Sequence, residues 1–327
     1  MSSIPELDIP AARRRIAGLA ARTPLVHSVS LSEWTGMPVY LKLETTQPTT
    51  AFKVRGASSK IMALSDEERS RGVVTASTGN HGRGVAYVAR RLGLKATICV
   101  SHGVPPGKLE ALRALGAQVE VVGASQTEAM ERAHEISAAD GMTFLHPFDD
   151  PDIIAGQATI GAEIAEDLPD VASVLVPLSG GGLLAGVAAG LAQYAPDAEP
   201  VGVSMTRVPV MALSLEAGHP IDLPEEETLA DSLRGGIDLD NRYTFAMVRD
   251  MVERILLVEE DEIWNAMRFL FDQHRLVAEG AAAVGVAALL QGKVDPLVGP
   301  VAVVVSGANV EPSQVAALLA GDPAPTL

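Results

Sequence analysis

Residues 49–59 read TTAFKVRGASS, which sets Lys53 between a phenylalanine and a valine, with Arg55 and Gly56 close behind. Two chemistries are open to that amine. A lysine stem can lie along apolar surface and keep its head in water. Alternatively the amine is partly dry, and desolvation then lowers its pKa and makes it a nucleophile or a base. Three turns elsewhere in the chain bear on the choice. In ASTGNHGRG, the residues Ser77, Thr78, Gly79, Asn80 and His81 fall where a strand pattern gives way to a helix pattern. Their amides and side chains can face an anion such as a carboxylate, whereas an ordinary helix cap needs only one such residue. In VLVPLSGGGLLAG, Ser179, Gly180, Gly181 and Gly182 lie between a strand and a helix that takes in Leu183. Glycines let backbone amides close around an oxyanion while the helix N-terminus adds its dipole, so this turn reads as a phosphate cradle. A tight turn needed only for close packing is the alternative. In VAVVVSGANVEP a continuous apolar strand ends in Ser306, Gly307, Ala308 and Asn309. The carboxyl ends of parallel strands form a ligand crevice, so the three turns point to one shared ligand.

The nature of that ligand is narrowed by what is missing. Gly180, Gly182 and Ala185 satisfy a loose G-x-G-x-x-A pattern, which keeps a non-catalytic nucleotide-binding protein in view. The next strand, EPVGVSMT, ends without the acidic residue that a ribose hydroxyl wants. No lysine follows the glycines, which excludes a Walker-type loop. A lysine, an anion-binding loop and a phosphate cradle without nucleotide features suit a small phosphorylated aldehyde joined to the amine. Pyridoxal 5'-phosphate is that molecule.

These groups have to be held by a substantial fold. The 327 residues are 47% hydrophobic and 20% charged, a globular composition long enough for two lobes. Strand patterns occur at MPVYLKLE, GVVTAST, KATICVS, QVEVVG, SVLVPLS, EPVGVSM and PVAVVVSG, with helical patterns such as GKLEALRALG between them. Strands too continuously apolar for period-two alternation, spaced by helices, predict an α/β fold with parallel sheets covered by helices on both faces. We expect residues 72–149 to form a small lobe, and 1–71 with 150–327 a large discontinuous one. A helix capped near Asp8 is expected at the N-terminus, with no signal or transit peptide. The acidic LPEEETLADS is read as a solvated loop and GDPAPTL as a frayed tail.

Bulk properties limit the partners. A formal net charge of −16 argues against nucleic acid or an anionic membrane surface. No run is apolar enough to span a bilayer. The single cysteine, Cys99, sits in an apolar strand pattern, so a buried thiol and a reducing cytoplasm are expected. His27, His102, His134, His146, His219 and His274 show no metal-ligand spacing.

Taken in order, RTPL at 22–25, FKVRGA at 52–57, STGNHG at 77–82, HPFDDP at 146–151, SGGGLLAG at 179–186, GGI at 235–237, EGAAAVG at 279–285 and SGANV at 306–310 span nearly the whole chain. In this series the sequence resembles the tryptophan-synthase-β-like pyridoxal-phosphate enzymes, close to the threonine/serine dehydratases and serine racemase. The resemblance implies a two-lobed fold, a homodimer and an amino-acid substrate. It makes Lys53 the Schiff-base lysine with Phe52 beside the ring, and sets Asn80 on the cofactor's phenolic oxygen. Ser77, Thr78, Gly79, Asn80 and His81 become the substrate-carboxylate loop. Ser179 to Leu183 become the phosphate loop, Gly236 lies beside the ring, Ser306 faces the pyridine nitrogen, and Glu279 joins the cofactor-binding set. A neutral hydroxyl at Ser306 stabilises a carbanion less than a carboxylate would, which favours elimination over transamination.

The implied reaction is loss of water from a β-hydroxy amino acid, with Lys53 as general base, to give a keto acid and ammonia. Thr78 stands where serine racemase has a second base, so racemisation is the rival reaction. Gly202-Val203-Ser204-Met205 and Val210 stand where many relatives carry the carboxylates of a divalent-cation site, and no metal is expected. The stretches STGNHGRG, SMTRVPVM and GIDLDNRYTF look like the dehydratases linked to hydroxyectoine breakdown. Arg207 and Arg242 are then either solvated residues or recognition groups for a larger substrate. About twenty residues follow Ser306, so an added C-terminal regulatory domain is not expected.

Overall fold

The computed structural model describes residues 4–325. Ten strands run in chain order: β1 (Leu25–His27), β2 (Val39–Leu43), β3 (Val73–Ala76), β4 (Ala96–Val100), β5 (Gln118–Val121), β6 (Thr143–Phe144), β7 (Ser173–Pro177), β8 (Glu199–Met205), β9 (Arg254–Val258) and β10 (Val301–Val305). They form a six-stranded sheet of order β1-β2-β10-β7-β8-β9 and a four-stranded sheet of order β5-β4-β3-β6. Every pairing is parallel except β1 with β2. Helices cover the sheets, so β3, β4, β7 and β10 are buried at every residue. That is why their sequences are continuously apolar.

The strands of the four-stranded sheet all come from residues 73–144, and those of the six-stranded sheet come from both flanking segments. The helix Lys53–Ala63 lies at the junction. It packs on the helices Asn80–Leu92 and Pro151–Asp167. Its Val54, Ala57 and Ile61 share a core cluster with Val73, Val85 and Ile98 of the 73–144 segment. The core therefore continues across the division that strand membership draws near residue 72.

One face of the same helix is polar and wholly buried. The Arg55 guanidinium donates to both oxygens of Glu44 at 2.8 and 2.9 Å and to both oxygens of Glu163 at 2.7 and 2.8 Å. Lys42 Nζ donates to Glu163 at 2.7 Å and to the Thr23 carbonyl at 2.8 Å. Two cations thus face two carboxylates with no charge left over. Burial alone would raise the Glu163 carboxyl, but Arg55 and Lys42 hold it below its ordinary value.

Several expectations need adjustment. Asp8 does cap the helix Ile9–Ile16, accepting from the Ala11 amide at 2.8 Å. Cys99 is fully buried, and burial pushes its thiol up to about 11. β1, β6 and β9 carry no expected strand pattern, because they are short or lie at a sheet edge. The acidic loop is only half solvated: Glu225 to Glu227 are exposed, whereas Thr228, Leu229 and Ala230 are buried. Glu260 draws that second half inward, accepting from the Thr228 hydroxyl and the Leu229 amide, each at 2.7 Å. The final segment is tied down as well, since Trp264 Nε1 donates to the Asp322 carbonyl at 3.0 Å. Thr326 and Leu327 of that segment lie outside the described residues. Among the described residues, no helix is long and apolar enough to cross a membrane.

Candidate active site

Lys53 opens the helix Lys53–Ala63, with Phe52 at the cap position. Its Nζ donates to the Pro147 carbonyl at 2.7 Å and stands 5.3 Å from the centre of the Phe52 ring. Desolvation lowers the amine to about 8, against the pull of the Glu279 charge. The residue is half-buried, and of the two chemistries open to this lysine the lowered pKa favours the partly dry amine. Phe52 is anchored through its amide, which donates to the Ser306 carbonyl at 3.0 Å. The turn after β10 is thereby stitched beside the lysine, and Ser306 is buried there.

The loop after β3 meets the same place from the other sheet. Ser77 and Thr78 are half-buried, Gly79 is exposed, and the helix Asn80–Leu92 begins with two buried side chains, Asn80 and His81. Asn80 Nδ2 donates to the two Glu279 oxygens at 2.8 and 3.1 Å. Glu279 also accepts from Ser232 Oγ at 2.9 Å and the Asn309 amide at 3.1 Å. Burial nonetheless keeps the Glu279 carboxyl above its ordinary value.

The His81 side chain is already engaged elsewhere. Its Nε2 lies 3.1 Å from the Leu145 carbonyl, which can only accept, so the proton sits on Nε2. Burial depresses the ring pKa to about 3 and leaves Nδ1 a buried lone pair without a partner. A neutral imidazole with its one N–H already spent offers nothing to a carboxylate. His81 instead ties the loop to Leu145, leaving the Ser77 and Thr78 hydroxyls and the nearby amides as donors.

The glycine turn after β7 has the shape of a cradle. Gly181 has φ of +86°, a conformation that side chains resist, and the helix Gly182–Tyr194 begins directly after it. A Cβ on Gly180 would come within 2.5 Å of the Phe148 ring, and one on Gly182 within 2.9 Å of Phe148. Ser179 is half-buried at the entrance, and Leu183 is buried behind it. The 146–149 segment thus joins the lysine to the cradle: Pro147 holds the amine, and Phe148 lies on the glycines. His146 accepts from the Phe148 and Asp149 amides at Nδ1, and its Nε2–H donates to Asp238 at 3.0 Å. That contact brings the exposed Gly236 loop alongside.

Arg207 donates to the Glu227 carbonyl at 2.9 Å. The exposed Arg242 offers its backbone amide to Asp149 at 2.7 Å. Ser204 is buried with its hydroxyl 3.4 Å from the Met205 sulfur, and no cluster of three or more His, Cys, Asp or Glu able to hold a metal occurs among the described residues. Sequence reasoning gave no role to Pro147, Phe148, Ser232 or Asn309. HPFDDP and SGANV were noticed as stretches, but a backbone carbonyl or a bridging amide leaves no signature in residue type.

These residues fit pyridoxal phosphate: a desolvated amine, a glycine turn with no room for side chains, and the buried Ser306 stitched beside the lysine. The comparisons agree. Residues 16–307 match the family model described as pyridoxal-phosphate dependent enzyme. An L-threonine ammonia-lyase of Thermotoga maritima is 45% identical over 93% of this chain and 75% of its own. Maize serine racemase superposes with a TM-score of 0.91 at 32% identity, covering 98% of both chains. A processed threonine deaminase from Solanum lycopersicum superposes at 0.89 with 34% identity, over 98% of this chain and 90% of that one. The chain therefore belongs to the family of pyridoxal-phosphate dependent enzymes, with that cofactor as its prosthetic group.

Proposed function

We propose that the protein is a dehydratase, an ammonia-lyase that eliminates water from a β-hydroxy amino acid of the threonine or serine type. The products are a keto acid and ammonia. The observation that carries this reading is the desolvated amine of Lys53, held by the Pro147 carbonyl next to the Phe148 that lies on the glycine cradle, in a chain 45% identical to a protein named L-threonine ammonia-lyase.

Pyridoxal phosphate, when bound, supplies an aldehyde for covalent attachment and a ring that draws electrons from the α-carbon. The amides from Ser179 to Leu183 would hold its phosphate, and Phe52 and Gly236 would flank its ring. Asn80 would donate to the ring oxygen, and the neutral hydroxyl of Ser306 would serve the ring nitrogen where a carboxylate would hold it protonated, which favours elimination over transamination. Ser77 and Thr78 would grip the substrate carboxylate. Lys53 Nζ would take the α-proton, which a lysine near its pKa of about 8 can do without a strong neighbouring base. The segment 72–149 closes over the substrate and excludes water. The working form is a homodimer, and no metal takes part.

A finer reading gives the enzyme a hydroxylated diamino acid from hydroxyectoine breakdown. Both are tested by a keto-acid assay of the holoenzyme across threonine, serine, 3-hydroxyaspartate and hydroxylated diamino acids. Turnover of threonine or serine supports the dehydratase. Turnover confined to the diamino acids selects the finer substrate. Exchange of the α-proton without keto acid would replace elimination by racemisation, which the likeness to maize serine racemase keeps as the second reading.

A further inference from the structure

Asn80 is the group assigned to the cofactor's ring oxygen, and that task needs its amide turned one way only. The nitrogen must face the ring. A lone asparagine has no such preference, since its two ends are nearly equal in size. Besides Glu279, whose two oxygens accept from the Asn80 Nδ2 at 2.8 and 3.1 Å, the structure supplies a directional support at the other end of the amide. Asn80 Oδ1 accepts from Asn309 Nδ2 at 2.6 Å. Asn309 Nδ2 also donates to the Thr49 carbonyl at 3.1 Å. At its other end Asn309 Oδ1 accepts from Arg83 Nη1 at 2.7 Å and from Thr50 Oγ1 at 2.8 Å.

Two members of this chain cannot be reversed. A guanidinium only donates and a backbone carbonyl only accepts. Arg83 therefore fixes Asn309 with its oxygen toward the guanidinium, and Thr49 fixes the nitrogen on the opposite side. The nitrogen so placed can meet only the oxygen of Asn80. Asn80 must then present its NH2 to Glu279 and to whatever lies beside it.

We propose that Arg83 and Asn309 are positioning residues: a one-way hydrogen-bond relay from Arg83 through Asn309 holds the Asn80 NH2 toward the ring oxygen of the cofactor. The relay crosses between the two sheets, because Asn80 and Arg83 follow β3 while Asn309 follows β10. Loading of the site and docking of the two sheets are thus sensed by one set of amides. The inference rests on the reading that pyridoxal phosphate is bound at Lys53 with Asn80 beside its ring.

The test uses the full chain with cofactor removed and restored. Arg83→Leu deletes the donor-only end, Arg83→Lys keeps one, and Asn309→Asp keeps the shape but takes away the donor to Asn80. The readouts are the dissociation constant for pyridoxal phosphate and the circular dichroism of its visible band, which reports how the ring is held. Loss of one oriented hydrogen bond predicts about three- to tenfold weaker binding and a diminished visible band for Arg83→Leu and Asn309→Asp. Arg83→Lys should restore most of both. Should either Arg83→Leu or Asn309→Asp bind the cofactor as the unaltered protein does, with an unchanged band, the relay is refuted. If Arg83→Leu does not fold, the isosteric Asn309→Asp decides alone. Borohydride reduction and peptide mapping of the unaltered holoenzyme separate the two failures. An adduct away from Lys53 removes the underlying reading, whereas an adduct on Lys53 with unaffected variants removes only the relay.

Discussion

Lys53 shows how little of a residue's chemistry is written in its type. Its pKa of about 8, against 10.5 for an exposed lysine, comes from desolvation among residues that are distant in sequence. The protonated amine is penalised in the fold, so the penalty is fully present below pH 8 and fades as pH rises toward 10.5. For the cofactor-free protein, the rate of covalent capture of pyridoxal phosphate should rise about tenfold per pH unit up to about 8, then flatten. Borohydride quenching at timed intervals gives this profile. A rise that continues to pH 10 would mean a solvated amine. Lys53 and the three turns stand out in the sequence because each turn carries more small polar residues than a helix cap needs, and an amine sits at the end of an apolar stretch. The proton of the His81 side chain is placed by the carbonyl of Leu145, 64 positions away, so its state is not written in the sequence. The hydrogen bonds of Arg83 and Asn309 are hidden for the same reason: each is made to a partner that only folding supplies.

At the scale of the element, the helix Lys53–Ala63 has to present an amine at its first residue while burying an arginine two positions later. Glu44 and Glu163 make that possible by neutralising Arg55 from two other elements. Removing one member leaves the rest as unpaired buried charge, which costs more than the pairing itself contributes. Arg55→Leu should therefore destabilise the protein by about 3–5 kcal/mol, read as a lower urea midpoint at unchanged slope. A shift under about 1 kcal/mol would show that water reaches the carboxylates. Because the same helix begins at Lys53, loosening it also moves the amine away from the Pro147 carbonyl. The element reading of the sequence succeeded where strands are buried on both faces and failed at β1, β6 and β9. β1 and β6 run for only three and two residues, so no periodicity can develop, whereas Ile255 to Val258 of β9 form a short apolar run that periodicity alone does not separate from a helix segment.

Across the whole molecule, the site is where the two sheets are joined. Lys53 meets Pro147, Asn80 meets Glu279 and Asn309, and His146 meets Asp238, each bond linking the 72–149 segment to the remainder. No such bond is visible in a linear pattern, which is why the sequence displayed the parallel strands but not how the two sheets engage. A ligand that binds only the assembled site stabilises that assembly by mass action, about 2.7 kcal/mol at a hundredfold excess over its dissociation constant. The gain should not spread evenly. Amides at 77–83, 145–148, 179–183 and 306–309 open when the sheets part, whereas those within β4 or β7 open only when a sheet itself unfolds. Hydrogen exchange followed by mass spectrometry, with and without pyridoxal phosphate, should show slowing concentrated in those four segments. Slowing confined to 179–183 would describe a phosphate anchored to one lobe with the other left swinging. In that case the closed lysine environment that lowers its pKa would not outlast the opening of the cleft.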